Sequence, residues 1–380
     1  MKIIWLGGVF TEDALRRFLA VNQAANRWTA GLLNGLKNEG HSVYLIAHRP
    51  EPVWPKGSLL PGDSRELDPQ FNGEIVRYLN IPHIRKYILK AQYRKALLSA
   101  VKNFCPDVIL CYNPYYWNIA SGEYTIKIFN IPWVPVILDY DDPRPDWKVF
   151  RKTLSAASGF VFLSYWGFQN CPFLQPKLHL DGGNDEWYGD IVATHTHNQN
   201  KQVLLYAGKY NKFVAVDMMA EALSRVKTQN IEIWLCGKGD SPFIKRLCDN
   251  DPRVKKLGFV SNDELHQLHQ RADLFLNLRP ADIDDNRMIF PSKILNYLSY
   301  GKPVVSSWTE GLSLEYRRFL QVPRDDTPES IARKIDEIFG WSQNKRYGYK
   351  KSVKSWFKAS RTWRMQAKSL SNWLEKAILR

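Results

Sequence analysis

The chain has 380 residues, a length that suits two domains of ordinary size better than one core. It carries 53 Lys and Arg against 38 Asp and Glu, a net charge of +15 that favours phosphorylated ligands, nucleic acid or an anionic membrane surface as partners. No apolar run is long enough to span a bilayer, and the five scattered cysteines support neither a disulfide framework nor a zinc site, so a reducing cytoplasm is expected.

The first half of the chain alternates predicted strands with predicted helices. A strand at 1–6 ends at Gly7-Gly8 and does not have the long apolar stretch of a signal peptide. A helix over 22–38 follows and is closed by Gly40. Further strands are predicted at 42–47, 107–112, 134–139 and 159–164, with a long helix at 85–104. This alternation predicts a parallel sheet covered on both faces.

A polar, glycine-bearing stretch over 182–200 predicts a domain boundary, and we interpret its His195 and His197 as part of this linker rather than as a metal site. A second α/β series follows it. Its strands are predicted at 203–207, 231–236, 274–278 and 303–307, and its helices at 217–227, 242–248, 292–300 and 326–339. A single basic helix is predicted over 350–380. Ligands of such sheets bind at the carboxyl ends of the strands.

The most informative motif is Phe290-Pro291-Ser292-Lys293, at the predicted start of a helix. Proline suits the first helical turn, and the Ser292 hydroxyl, the Lys293 ammonium and the helix dipole would converge there. That combination predicts a pyrophosphate site. The alternative is an ordinary capped helix with a solvated lysine.

Three glycine turns lie along the second half. Gly208-Lys209, with Lys212 nearby, follows the first predicted strand, Gly237-Lys238 follows the second, and Gly258-Phe259-Val260 comes next along the chain. We expect these turns on one edge of one sheet, where the lysines would balance phosphate charge. The alternative for each turn is a solvated loop.

In their order and spacing, these motifs resemble the donor-binding domain of family 4 glycosyltransferases over about 203–340. The resemblance includes Gly301-Lys302-Pro303-Val304-Val305, and the N-terminal half shares it more loosely through Gly7-Gly8, 40–43 and 107–109. It implies the GT-B fold, an α/β architecture of two Rossmann-like domains facing a cleft. The sequence departs from the family at its two glutamate positions, which are Met288 and Asn296 here. Asn296 would still hydrogen-bond a ribose hydroxyl, without charge.

The resemblance also implies an activity and a separate role for each domain. The activity is a metal-independent, retaining sugar transfer from a nucleotide sugar of the UDP or GDP type to a glycan, glycolipid or other small acceptor, without a cofactor. Lys209, Lys212 and Lys293 would stabilise the departing diphosphate, which Gly7-Gly8 would approach from the other domain. Residues 1–188 would bind the acceptor, 202–355 would bind the donor, and a helix over 356–380 would pack back on the N-terminal domain. Polysaccharide or glycoconjugate assembly is the expected setting.

Asp142 ends a predicted strand and is a candidate contact for a sugar or acceptor, the alternative being a turn carboxylate before Pro143. The basic amphipathic segment 84–104 predicts contact with an anionic membrane, or else a layer helix with a solvated basic face. Three rival functions stay open. They are another GT-B enzyme such as an epimerase or phosphorylase, a non-catalytic nucleotide-sugar binder, and a nucleic-acid-binding protein that lacks a recognisable module.

Overall fold

The computed structural model describes residues 1–18, 20–113, 115–138, 154–190, 201–210, 215–280, 286 and 288–379. The chain divides into two compact units. Unit 1 comprises Met1–Asp185 and Trp363–Arg380, and unit 2 comprises Glu186–Thr362.

Unit 1 is built on a parallel sheet with the strand order β3-β2-β1-β4-β5-β6-β7. The strands are β1 (Lys2–Leu6), β2 (Ser42–Ala47), β3 (Asn72–Ile75), β4 (Val108–Tyr112), β5 (Trp133–Ile137), β6 (Phe160–Phe162) and β7 (Lys177–His179). The order reverses between β1 and β4, and in doubly wound sheets that switch point lies at the ligand-binding edge. The sequence predicts five of these strands and misses β3 and β7.

Helices cover both faces of this sheet. They are α1 (Glu12–Arg17), α2 (Gln23–Asn38), α3 (Arg85–Phe104), α4 (Tyr116–Phe129) and α5 (Tyr165–Asn170). Successive side chains of β1 point to opposite faces, so Ile3 packs in the core that contains α2 and Ile4 packs in the core that contains α3. The side chain of Asn22 begins α2 by accepting hydrogen bonds from two backbone N–H groups.

Unit 2 repeats the same topology with the strand order β10-β9-β8-β11-β12-β13. The strands are β8 (Gln202–Ala207), β9 (Ile231–Cys236), β10 (Val254–Gly258), β11 (Leu274–Asn277), β12 (Val304–Ser306) and β13 (Leu320–Gln321). The switch point of this sheet lies between β8 and β11.

The helices of unit 2 are α6 (Val216–Ser224), α7 (Pro242–Asn250), α8 (Asn262–Arg271), α9 (Lys293–Leu298), α10 (Pro328–Phe339) and α11 (Gln343–Ser360). Helix α10 begins as its sequence predicts, with the Thr327 side chain accepting from the Ser330 N–H and Pro328 in the first turn. Helix α9 has six residues and is shorter than the predicted 292–300.

The predicted single helix over 350–380 is wrong, because the tail forms two helices. Helix α11 ends at Ser360, and α12 (Trp363–Trp373) follows, with a π-helical turn at Leu374–Ile378. Arg361 lies at the break and is buried, with its guanidinium bonded to Glu315 and to the Tyr316 hydroxyl of unit 2. The contacts of Arg361 with Glu315 and Tyr316 therefore outweigh the tendency of the sequence to continue as one helix.

The two tail helices pack in different units. Trp356, on α11, stacks on Phe319 of unit 2 with ring centroids 4.5 Å apart. Trp363, on α12, packs edge-on against Trp28 of α2 in unit 1, with centroids 5.9 Å apart.

Candidate functional site

The three glycine turns of unit 2 meet at the carboxyl edge of its sheet. The Gly208 N–H donates to the Cys236 carbonyl at 2.8 Å, and the Gly237 N–H donates to the Gly258 carbonyl at 2.7 Å. The structure therefore brings the three turns together, as the sequence predicts.

Gly237 is required by the close packing of two of these turns. Its φ is +147°, and a Cβ atom added there would lie 1.7 Å from the Gly208 carbonyl oxygen. The N–H groups of Gly208 and Gly237 both donate hydrogen bonds to backbone carbonyls of the protein. A ligand at this edge therefore meets side-chain cations rather than these two N–H groups.

Lys293 places an ammonium group at the centre of this edge. It begins α9, and its Nζ donates to the Ala207 carbonyl at 2.7 Å, an oxygen that also accepts from the Tyr297 hydroxyl at 3.2 Å. Gly208 leaves the space for it, because a Cβ atom at 208 would lie 2.1 Å from this Nζ. An ammonium has three donors. Only one of them has a hydrogen-bond partner among the described residues.

Burial, with added repulsion from Arg279 and Lys209, lowers the pKa of Lys293 to about 8, while Cys236 opposes the shift. The side chain is therefore still a cation at neutral pH. Most of this lowering reflects burial of the ammonium, and the neighbouring cations Arg279 and Lys209 add to it.

Arg279 and Lys209 complete a cluster of three cations at the switch point, which we call the cation cluster (Lys209, Arg279, Lys293). Arg279 follows β11 and is half-buried, and its burial lowers the pKa of its guanidinium. Its Nη1 lies 3.5 Å from Oδ1 of Asn286. Within the described part of the chain, no acidic side chain forms an ion pair with any member of the cluster, so this edge is suited to bind an anion.

Lys212 and Asp142 lie outside the described residues. Lys238 is exposed, and its ammonium lies 4.1 Å from the centroid of the Phe259 ring, itself 71% exposed. Val260 follows and is half-buried.

Near α9, Pro291 is buried and Ser292 is exposed, with no capping hydrogen bond from its side chain. The alternative of an ordinary side-chain-capped helix start is therefore wrong, because the backbone of Ser292 is already helical, at φ −53° and ψ −23°. Asn296 and Met288 are both half-buried.

Gly7 and Gly8 line a cavity in unit 1 of about 190 Å³, which we call the unit 1 cavity. His48 directly follows β2 and also lines it, and sequence reasoning missed this residue. Its Nδ1 lies 2.9 Å from the Tyr93 hydroxyl. Burial, together with the nearby Arg85, lowers the pKa of His48 to about 4, so the imidazole is neutral at pH 7. Its place after a parallel strand, at the edge where Gly7 lies, was the available signal.

The described ranges contain no group of three or more His, Cys, Asp or Glu side chains placed to hold a metal ion. None of their helices combines the length and the apolar character that crossing a membrane requires.

A match to one family model covers the segment that carries the cation cluster. Residues 201–340 match the model of glycosyl transferases group 1. No curated protein matches the sequence significantly.

Solved structures resemble the whole chain. Sucrose-phosphate synthase from Thermosynechococcus elongatus has 13% identity and a TM-score of 0.69, with 99% of each chain covered. HepE from Anabaena, solved in complex with UDP and glucose, has 14% identity and a TM-score of 0.64, with 99% of this chain and 100% of that chain covered. A putative UDP-N-acetylglucosamine 2-epimerase from Listeria monocytogenes has 12% identity and a TM-score of 0.59, with 98% and 95% covered.

These similarities confirm the predicted fold class, two Rossmann-like α/β units of the GT-B type. They also confirm the resemblance of the C-terminal segment to glycosyltransferases. At these identities, the structural likeness establishes the fold alone. Family 4 membership and a retaining outcome stay predictions.

Proposed function

We propose that this protein is a metal-independent, retaining glycosyltransferase. It moves a sugar from a nucleotide-sugar donor of the UDP or GDP type to a glycan, a lipid-linked acceptor or another small acceptor, in polysaccharide or glycoconjugate assembly. The observation that supports this most is the cation cluster, which lies at the switch point of the sheet in the segment that matches the glycosyltransferase model. A diphosphate suits this cluster because it presents several negative charges within a small volume.

The chemistry needs charge stabilisation at the diphosphate. As the bond from the anomeric carbon to the phosphate oxygen breaks, its electron pair leaves with the diphosphate. The acceptor oxygen forms the new bond to the anomeric carbon, and its hydroxyl proton passes to the departing phosphate oxygen. The Lys293 ammonium is already fixed by the Ala207 carbonyl, so it stabilises this developing charge without reorganising. Fixed side-chain cations supply the charge that a divalent metal supplies elsewhere, and for this reason we propose a metal-independent reaction.

Two roles rest on the resemblance to family 4: Lys212 adds a further cation beside the diphosphate, and Asn296 hydrogen-bonds the ribose. A third role rests on position in the sequence, since Asp142 follows a predicted strand and contacts the transferred sugar or the acceptor. Retention at the anomeric carbon rests on the same resemblance.

Binding of a panel of UDP-, GDP-, ADP- and TDP-sugars tests the donor assignment, with thermal shift as a screen and calorimetry for affinity. A ligand that binds the native state raises the melting temperature by mass action. We expect Lys293→Ala to remove the shift. Lys245→Ala, an exposed lysine on α7, is the matched control and should keep it. If no nucleotide sugar binds the wild-type protein, or if Lys293→Ala binds as well as wild type, the proposal is wrong.

Two alternatives have a specific observation behind them. Met288 and Asn296 at the family's glutamate positions favour a non-catalytic binder. The similarity to a putative epimerase shows that this fold also occurs in a protein described in that way. Product analysis by mass spectrometry and NMR separates them. A transferase forms a glycoside only when an acceptor is present, an epimerase forms an isomeric nucleotide sugar without one, and a binder forms neither.

Helix α3 supports a peripheral association with the inner face of the plasma membrane, in a cytoplasmic protein. Seven Lys and Arg residues and no Asp or Glu lie between Glu74 and Asp107. Ile84 and Tyr87, at the start of helix α3, are 44% and 52% exposed and lie beside the exposed Lys86. Exposed apolar groups among cations suit an anionic lipid surface.

Sedimentation with vesicles tests this association. We expect binding to phosphatidylglycerol vesicles and not to phosphatidylcholine vesicles. A Lys86→Glu, Lys95→Glu double variant should lose it, and a Lys245→Glu, Lys351→Glu variant of equal net charge should keep it. Equal loss in both variants would show that net charge alone is responsible.

A further inference from the structure

The unit 1 cavity is lined by uncharged groups. The described residues that line it are glycines, small apolar residues, aromatic residues, asparagines and a threonine, and none is Asp, Glu, Lys or Arg. His48 is neutral at pH 7 because burial lowers its pKa to about 4. This contrasts with the carboxyl edge of unit 2, where three cations gather.

A polar atom in the lining of the cavity lacks a hydrogen-bond partner among the described residues. Asn118 lines the cavity and is 2% exposed; its Nδ2 donates to the Tyr112 carbonyl at 2.9 Å, and its Oδ1 is the atom without a partner. The indole Nε1 atoms of Trp117 and Trp5, which do not line the cavity, are also buried without a partner among the described residues. These three atoms are an acceptor and two donors, and buried polar atoms of this kind are usually paired.

Both indoles lie next to residues that line the cavity. A Cβ atom added at Gly7, which lines the cavity, would lie 2.7 Å from Nε1 of Trp5. The Trp117 ring lies 5.1 Å from the His48 ring, and Tyr115 stacks on Trp117 with an interplanar angle of 16°. Tyr115 is 44% exposed and lines the cavity, so its aromatic ring is available at the entrance.

We propose that the unit 1 cavity binds a single uncharged sugar ring, so that unit 1 accepts a neutral sugar and rejects phosphorylated or carboxylated ones. This inference rests on the proposed function, since it assigns the chemical class of the acceptor. A sugar hydroxyl both donates and accepts, so it can donate to the Oδ1 of Asn118, the unpartnered acceptor in the lining. The C–H face of a sugar ring packs on an aromatic ring such as Tyr115. A phosphate or carboxylate would lose its hydration among these groups without gaining a countercharge.

The test compares neutral sugars with their charged counterparts by saturation-transfer NMR and calorimetry on the full chain. The probes are the methyl glycosides of glucose, galactose, mannose and N-acetylglucosamine, set against glucose 6-phosphate and glucuronic acid. We expect at least one neutral glycoside to bind, and the charged sugars to bind at least tenfold more weakly. Charged sugars that bind as tightly as the neutral ones, or no neutral sugar that binds, would overturn the proposal.

A matched pair of variants ties the binding to the cavity. Ala25 lines the cavity on α2, whereas the neighbouring Ala24 is exposed and does not. Ala25→Leu should weaken neutral sugar binding at least tenfold, and Ala24→Leu, the same change one position away, should leave it unchanged. Thr29→Val, which removes one lining hydroxyl at nearly constant shape, provides a second variant in case Ala25→Leu does not fold. Unchanged binding in folded Ala25→Leu or Thr29→Val would contradict the proposal.

UDP binding, measured on the same samples, separates this inference from the proposed function. Lys293→Ala should lose UDP and keep the neutral sugar. If the wild-type protein binds the sugar but no nucleotide, the proposed function fails alone. If it binds the nucleotide but the sugar results fail, only the acceptor assignment is wrong.

Discussion

A single methyl group at residue 208 tests the cation cluster without removing any charge. Gly208→Ala would place a Cβ atom 2.1 Å from the Lys293 ammonium and 2.9 Å from the Tyr206 hydroxyl. The backbone of Gly208 is outside the left-handed region, so alanine is allowed there. The ammonium is the far end of a flexible side chain, and we expect it to move away from the Ala207 carbonyl and from the proposed phosphate position.

The size of the effect follows from the interaction that is lost. A hydrogen bond to a charged group contributes about 1.5–3 kcal/mol, so UDP should bind about 10- to 160-fold more weakly. The free energy of unfolding should fall by only about 1 kcal/mol, because the Ala207 carbonyl keeps its hydrogen bond from Tyr297.

Calorimetry with UDP and urea unfolding measure the two quantities separately. Gly348→Ala on α11 is the control, since a Cβ atom there meets nothing within 4 Å. It should raise the free energy of unfolding by about 0.5–1 kcal/mol and leave UDP binding unchanged. If folded Gly208→Ala binds UDP as tightly as wild type, the Lys293 ammonium does not hold the diphosphate.

Three further predictions concern titration and packing. UDP affinity should fall above about pH 8, up to tenfold per pH unit, as Lys293 loses its proton, and calorimetry of Lys293→Ala should show no such decline. The pKa of His48 lies near 4 in the folded state, below its ordinary 6.5, so between these two values the folded state binds fewer protons than the unfolded state. The free energy of unfolding should therefore fall as the pH drops from 6.5 to 4, by about 3 kcal/mol at most. Urea unfolding at pH 7 and pH 5 should show a smaller loss in His48→Gln than in the wild type. Trp363→Ala should lower the free energy of unfolding of unit 1 by about 3–5 kcal/mol, because the ring is buried against Trp28. In the same denaturation assay, Tyr347→Ala, at a residue 70% exposed, should leave this free energy almost unchanged.

The strands and long helices were predictable where local signals agree with the fold. The strand at 231–236 and the helix at 85–104 have the predicted bounds, because apolar runs end there at glycine, proline or polar residues. Helix α4 was missed, since its sequence is rich in aromatic and β-branched residues that do not favour a helix. The break at Arg361 was also missed, because it depends on pairing with Glu315, far away in the sequence.

The candidate site was predictable in outline and not in detail. The glycine turns and Lys293 follow from the rule that parallel strands present their carboxyl ends at one edge. Arg279 and His48 each follow a strand at such an edge, and this position was the available signal, since neither residue belongs to a recognisable motif. The use of the Gly208 and Gly237 N–H groups within the protein depends on how the turns pack on one another, which spacing alone does not reveal.

A crystal structure of the protein with UDP tests the central claim most directly. The account predicts phosphate oxygens within hydrogen-bond distance of the Lys293 Nζ, close to the Arg279 guanidinium, at the carboxyl edge of the unit 2 sheet. UDP bound away from this edge, or a diphosphate that leaves the Lys293 ammonium bonded only to the Ala207 carbonyl, would contradict it.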